Sequence, residues 1–194
     1  SWRQESSLVA ADAAADDHFA TSVSFSGDGA RALVGVPDDD TPGGANAGSA
    51  RVFVRTGTAW SPESTLLGAA GAAGDAFGTA VALCDDGTRA IVGAPTDGTH
   101  TGGGSARVFV RSGATWTEEF MLFSTASNFG RAVALSADGS RALVGAGGGF
   151  GDGGRAFVFA RTGTTWSEEA TLTAPGTLDF DNFAAAVALS AAGD

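Results

Sequence analysis

Short stretches along the chain alternate large and small residues, and each is closed by a glycine-bearing turn. In AFGTAVALC, Phe77, Thr79, Val81 and Leu83 fall on one side of an extended chain and Gly78, Ala80 and Ala82 on the other. That period is two, not 3.6, and predicts a strand. Related stretches are HFATSVSFS from His18, NFGRAVALS from Asn128 and NFAAAVALS from Asn182. The first three are followed by a tight turn (GDG, DDG, ADG) and then by RALVGVP, RAIVGAP and RALVGAG. Next come SARVFVRTG, SARVFVRSG and RAFVFARTG, β-branched and aromatic as strands prefer. A Trp follows each time, opening WRQE, WSPE, WTEE and WSEE. Trp60 and Leu66 are six residues apart, which predicts one shared face, with Glu63 on the other. The same spacing relates Trp2 to Leu8, Trp116 to Leu122 and Trp166 to Leu172. Arg-Thr-Gly or Arg-Ser-Gly before a Trp, and Asp-Gly after a Phe-bearing strand, are hairpin signals.

Aligned on the tryptophans, the chain is four versions of one unit, at residues 2–59, 60–115, 116–165 and a truncated 166–194. Each complete unit of about 55 residues holds four strands, the period and strand count of a β-propeller blade. In the second unit they are predicted at 77–84, 89–95, 106–111 and 116–123. The fold class is therefore all-β, one partial β-propeller of four-stranded antiparallel blades over residues 1–194, about three and a half blades. The first strand of each blade, large on one face and small on the other, suits the crowded inner position. The fourth carries a Glu in every unit, which suits an exposed outer edge guarded against strand pairing. Arg31, Arg89 and Arg141 open the second strands, Arg55, Arg111 and Arg161 close the third, and Arg51 and Arg107 lie within it. Such regular placement predicts salt bridges and stem packing between blades. A lone fourth strand at 2–10, three blades and a lone first strand at 182–190 make fourteen predicted strands. With no initiating Met, leader or targeting tail, the expectation is a piece of a longer protein that ends within a blade. The alternative is a ring built from two or more copies.

Composition narrows the function. The chain has 30 Gly, 39 Ala, no Lys and a net charge of −11. Alanine and glycine in that abundance suit a linker, but the regularly spaced Phe, Val, Leu and Trp supply burial that a disordered segment lacks. Net negative charge and no basic stretch argue against nucleic acid. No apolar run approaches the ~20 residues of a membrane helix, so no membrane insertion is expected. Cys84 is alone, which removes an intrachain disulfide and a cysteine-based zinc site. It replaces the serine found at 26, 136 and 190, and reads as incidental.

Phe77-Gly78 followed by Val92-Gly93-Ala94-Pro95 resembles the FG-GAP repeat, the blade of integrin α-subunit propellers and of many bacterial and algal secreted proteins. The first unit has Phe19-Ala20 and Val34-Gly35-Val36-Pro37; the third keeps Phe129-Gly130 but ends Val144-Gly145-Ala146-Gly147; the fourth has Phe183-Ala184 only. The resemblance implies an extracellular or cell-surface β-propeller used in adhesion. It also implies calcium, through an Asp-rich loop between first and second strands. Here that loop is SGDG, CDDG or SADG, and one or two Asp in a tight hairpin cannot supply six to eight oxygens. The family's calcium motif is absent.

The turns joining first to second and third to fourth strands are short and alike. The loops joining second to third strands, and one unit to the next, are long and differ each time. In a propeller these two kinds lie on opposite faces, so variation gathers on one face, where a ligand is expected. That face carries the candidate ligand-binding residues Asp16, Asp17, Asp38, Asp39, Asp40, Asp75, Asp97, His100, Asp152, Asp179 and Asp181. Asp38, Asp39 and Asp40 are the best metal candidates, but solvated acids are the plainer reading. No metal or cofactor is predicted, calcium being the one to consider. There is no G-x-S-x-G, H-E-x-x-H or P-loop, and Glu118-Glu119 and Glu168-Glu169 are adjacent on strands, so each pair points apart. His18 and His100 read as loop residues. The expected function is non-enzymatic recognition of a protein or glycan. A structural subunit or spacer in a larger extracellular assembly is the alternative, its partners being neighbouring subunits or further blades. A hydrolase with its site in the propeller channel ranks third.

Overall fold

The computed structural model describes residues 4–193 apart from 102, 149–152, 177 and 180. The chain forms three four-stranded antiparallel sheets, and among the described residues there is no helix. Blade 1 is β1 (Ser22–Phe25), β2 (Arg31–Val36), β3 (Ser49–Thr56) and β4 (Ala59–Leu66). Blade 2 is β5 (Ala80–Leu83), β6 (Arg89–Ala94), β7 (Ser105–Ser112) and β8 (Thr115–Phe123). Blade 3 is β9 (Phe129–Leu135), β10 (Arg141–Ala146), β11 (Arg155–Thr162) and β12 (Thr165–Leu172). Strand order within each sheet follows the chain, so each blade is a meander. The expected lone strands are corrected: the described part of 2–10 and residues 182–190 form no ladder, giving twelve strands among the described residues and not fourteen. Among the described residues neither segment pairs in register with a neighbouring strand. Trp2 lies outside the described residues.

The core lies between blades. Leu33, Val52 and Leu66 of blade 1 pack on Val81, Val92, Phe109 and Trp116 of blade 2. Ile91, Val108 and Leu122 of blade 2 pack on Phe129, Val144, Phe157 and Trp166 of blade 3. Each sheet thus has a leading face, with its Trp and Phe, and a trailing face, with its Leu. This corrects the shared face expected for Trp60 and Leu66. The β3–β4 register shifts between Val52 and Phe53, leaving Glu63 as the extra residue of a β-bulge. One extra residue inverts the alternation beyond it, so Trp60 joins the leading-face cluster of blade 1 and Leu66 the trailing one. The shift recurs at Val108/Phe109 and Val158/Phe159, placing Glu119 and Glu169 on the bulges of β8 and β12.

The bulged glutamates are not edge guards where a blade follows them. Glu63 accepts both Arg31 hydrogen bonds (2.8 and 3.0 Å) and the Trp116 indole N–H of the next blade (3.2 Å). Glu119 accepts Arg161 (2.8 and 3.1 Å) and Trp166 (3.4 Å) from blade 3, and Arg89 (3.5 Å) from its own. Their side chains are 7% and 5% exposed. The expected scaffold role of the repeated arginines holds at these positions.

At the inner strands the blades meet backbone to backbone. A Cβ on Gly35 would lie 1.9 Å from Gly78 O, and one on Gly93 1.8 Å from Gly130 O. Gly78 and Gly130 themselves have φ of +102° and +91°. The Gly of one blade's second strand therefore faces the Gly after the Phe of the next, and nothing larger than hydrogen fits.

Gly93→Ala is expected to cost about 3 kcal/mol or more in chemical denaturation, by overpacking. Gly98→Ala, with open space around it, leaves the midpoint unchanged. Glu119→Ala strands two arginines and an indole, and is expected to cost about 3 kcal/mol in the same assay.

Candidate functional site

The second-to-third-strand loops and the blade-to-blade loops share one face. Gly74 N–H bonds Ala45 O (3.0 Å), Phe77 N–H bonds Ala47 O (3.1 Å), and the Thr96 hydroxyl bonds Gly74 O (2.7 Å). The opposite face carries near-identical turns. Gly29, Gly87 and Gly139 each donate N–H to the residue three before, Ser26, Cys84 and Ser136, at 2.9 to 3.0 Å. Cys84 does the serine's work: Ser26 and Ser136 donate to Asp28 and Asp138 (2.7 Å), and the Cys84 thiol donates to Asp86 (3.0 Å). Hydrogen bonds from Ser136 and from Ser140 hold the Asp138 carboxyl down to about 2.

The second-to-third-strand loops of blades 1 and 2 are each tied down by a buried carboxylate. Asp97 is 2% exposed; it accepts Ser105 Oγ (2.6 Å), Thr99 N–H (2.9 Å) and Arg107 Nη2 (3.0 Å). Asp39 makes the Ser and Arg bonds of this set in blade 1, with Ser49 Oγ (2.5 Å) and Arg51 Nη2 (2.6 Å). Arg107 also reaches Glu118 (3.1 Å), and Arg51 reaches Asp12 (2.9 Å). A second series lies two residues before Phe19, Phe77 and Phe183. Asp17, Asp75 and Asp181 accept N–H from Ala14, Ala72 and Leu178, at 2.6, 2.7 and 2.6 Å. These bonds fold the loop before the residues at positive φ, His18, Ala76 and Asn182.

So the structure separates the eleven candidates. Asp17, Asp39, Asp75 and Asp97 are buried and hold loops. Asp40 accepts Asn46 N–H (2.9 Å). Asp38 pairs with the exposed His18 (2.5 Å), while His100 stacks on Phe123 with ring centres 4.0 Å apart. Asp16, Asp179 and Asp181 are exposed, and Asp152 lies outside the described residues. Among the described residues no three His, Cys, Asp or Glu side chains gather as a metal site. The anchoring role of Asp39 and Asp97 left one unused signal. Units one and two have both the loop Asp and Ser-Ala-Arg opening the third strand; unit three lacks the set, with Arg155 and Phe157 at the Ser and Arg positions.

Concavities remain above these anchors. Two adjoining hollows of about 240 and 250 Å³ share Thr41, Pro42 and Leu67, one floored by Gly43, Gly68 and Gly71, the other walled by Asp12, Asp40 and Arg51. A rigid base with a mixed polar and apolar lining can bind, and nothing in it offers a nucleophile held by a base.

The acids set a pH dependence. Burial pushes Asp97 up, but the Ser105, Thr99 and Arg107 interactions outweigh it and its pKa is lowered. The hydrogen bonds from Arg31 lower Glu63, and Arg161 does the same to Glu119 against burial. Folded-state values below the unfolded ones stabilise the protein above the ordinary carboxylate range, and that stability disappears as pH falls through them. Asp75 runs the other way: burial, then the nearby Asp97 charge, raise it. Its contribution is present at low pH and lost as pH rises through its folded value. Thermal midpoints are expected to fall steeply from about pH 4 toward pH 2. Asp75→Asn should gain on the native chain as pH rises above about 4.

Comparison with known proteins agrees with this architecture. The family description "FG-GAP repeat" matches residues 2–53 and 60–109. No curated protein matches the chain. Among solved structures, Saccharomyces cerevisiae Sqt1 is similar with TM-score 0.57 at 9% identity, over 87% of this chain and 38% of that one. The Cps50 (Swd1) beta-propeller domain of Myceliophteria thermophila is similar with TM-score 0.52 at 13% identity, over 79% and 43%. The chain thus spans about two fifths of the structures it matches. Both likenesses are of fold. With two successive blades matched and the Phe-Gly and Gly-Ala-Pro glycines locked against each other between blades, this chain belongs to the FG-GAP repeat family, as a partial β-propeller.

Proposed function

We propose that the chain is a non-enzymatic recognition module, acting outside the cell in adhesion or ligand binding through its variable-loop face. One observation carries the reading: variation is confined to that face. The turns 26–30, 84–88 and 136–140 repeat one geometry, while the loops 37–48 and 95–104, and the connections 67–79 and 124–128, differ in length and residues. A constant scaffold beneath loops that change from repeat to repeat is a common design for binding. The hollows beside Thr41 and Leu67, rimmed by Asp12 and Asp40, are where a protein or glycan would sit. The ligand groups that fit are hydrogen-bond donors and cations, given the acids around them. Binding needs no metal, since the buried aspartates are already engaged by Ser, Thr and Arg. Extracellular placement rests on the resemblance to secreted and integrin repeats. A spacer in a larger assembly is second, favoured by the exposed outer part of blade 3's trailing face at Leu172. A channel enzyme is third: the inner strands bring Ser, Val, Phe, Ala, Leu and Arg131, and no carboxylate pair.

A screen of immobilised glycans and extracellular proteins against the intact chain tests this. A ligand is expected whose affinity drops roughly tenfold, about 1.4 kcal/mol, in the double variant Asp38→Ala, Asp40→Ala and is unmoved by EDTA. Buried Asp39 is left intact so that the loop stays folded. Binding that ignores this double variant but responds to Asp28→Ala or Asp86→Ala, on the constant turns, sinks the reading.

A further inference from the structure

The third unit departs from the first two at a pair of positions. Two residues after the Phe, Thr21 and Thr79 give way to Arg131. At the end of the second strand's motif, Pro37 and Pro95 give way to Gly147. The fold brings the two departures together. A Cβ on Gly147 would lie 2.8 Å from Arg131 Nη1 and 3.1 Å from its Cδ, so the arginine occupies space that any side chain at 147 would fill. Arg131 Nη1 also donates to Asn182 Oδ1 (2.8 Å). The side chain is thus positioned from two sides, yet the residue stays exposed, early in β9 where the inner strand adjoins the variable face.

Its charge is not spent. Among the described residues, seven of the eight arginines at the repeated positions pair with a carboxylate. The eighth, Arg111, donates to the Gly87 and Gly113 carbonyls. Among the same residues Arg131 has the Asn182 oxygen and no carboxylate, in a chain where acids outnumber arginines 22 to 11. A guanidinium offers five N–H donors in a planar fork that fits a carboxylate with two parallel bonds. At the same strand position of the adjoining blade, Thr79 donates to Ala76 O (2.7 Å), as Thr21 does to His18 O (2.8 Å). Each hydroxyl oxygen keeps lone pairs that can accept from a ligand.

We propose that Arg131 is an anion-binding residue of the variable face and takes the carboxylate of an acidic sugar, with Thr79 accepting from the sugar's hydroxyls. The charge balance selects the sugar. A net charge of −11 repels a run of acids such as an acidic peptide carries. A uronate brings one carboxylate on an otherwise neutral ring that is rich in hydroxyl donors. This site goes beyond the reading above, because it shares no residue with the hollows beside Thr41 and Leu67.

The test titrates the intact chain with sodium glucuronate at constant ionic strength, following the Arg131 Nε–H and Asn182 side-chain amide resonances. Saturable shifts are expected. Arg131→Thr, which installs the residue of blades 1 and 2, should weaken binding about tenfold or more. Gly147→Ala, which pushes the guanidinium aside, should weaken it as well while leaving the thermal midpoint in place. Asp38→Ala, Asp40→Ala should leave it unchanged, which separates this site from the hollows. Shifts that sodium chloride reproduces, or an affinity that survives Arg131→Thr, overturn the proposal. Equal binding of glucose shows that the carboxylate is not read and overturns it too. Tighter binding of N-acetylglutamate assigns the residue to an acidic peptide and overturns the sugar.

Discussion

The structure depends on one contact, a glycine of one blade's second strand against the backbone of the next blade's Phe-Gly. Gly35 on Gly78 and Gly93 on Gly130 leave room for a hydrogen and no more. That closeness fixes the spacing of the blades at the inner strands. Away from the axis the blades diverge, and the interval must be filled. The residues enlarge accordingly, from Gly and Ala through Val81 and Val92 to Phe109 and Trp116. The high alanine and glycine content is thus part of the packing, and the large aromatic residues are the complementary part.

The outer interval holds the polar part of the interface. A carboxylate at Glu63 or Glu119 costs desolvation, and replacing a whole buried ion pair, arginine included, with apolar residues is often neutral. What it supplies here is position. The bulge turns the glutamate out of strict alternation, its own blade's Arg braces it, and the following blade's Trp must arrive with its N–H aimed at it. A blade that slid by one residue would lose that acceptor. Glu5 and Glu169, at the two ends of the arc, show the same residues without a full blade beyond them, and both are half exposed.

The two rims of the arc solve different problems. One repeats a single Asp-Gly turn, with Ser and Cys84 interchangeable as donors to the Asp. The other tolerates change in blades 1 and 2 because the loop is anchored from below, by Asp39 or Asp97 clasped to a Ser and an Arg of the third strand. Carboxylates that look like a ligand-ready cluster along the chain are largely spent on this anchoring. What they hold up is a surface of Pro42, Leu67, the exposed acids and the glycine backbone between them.

Strand identity, blade period, blade number and which rim varies were legible in the residues, because alternation and turn chemistry are local and the repeat states them three times. The face of Trp60 relative to Leu66 was not legible. Counting by twos assumes an unbroken ladder, and the bulge at Glu63 exists only once β3 and β4 pair. The burial of Glu63 and Glu119 was likewise hidden, since their exposure is decided by an indole more than forty residues away. Fourteen strands became twelve for a related reason: residues 4–10 and 182–190 have strand-like sequences, but a strand needs a neighbour's backbone to bond. Sequence alone determined what each segment is able to be. Tertiary structure decided which segments found partners, because hydrogen-bond ladders, bulges and desolvated ion pairs belong to two segments at once.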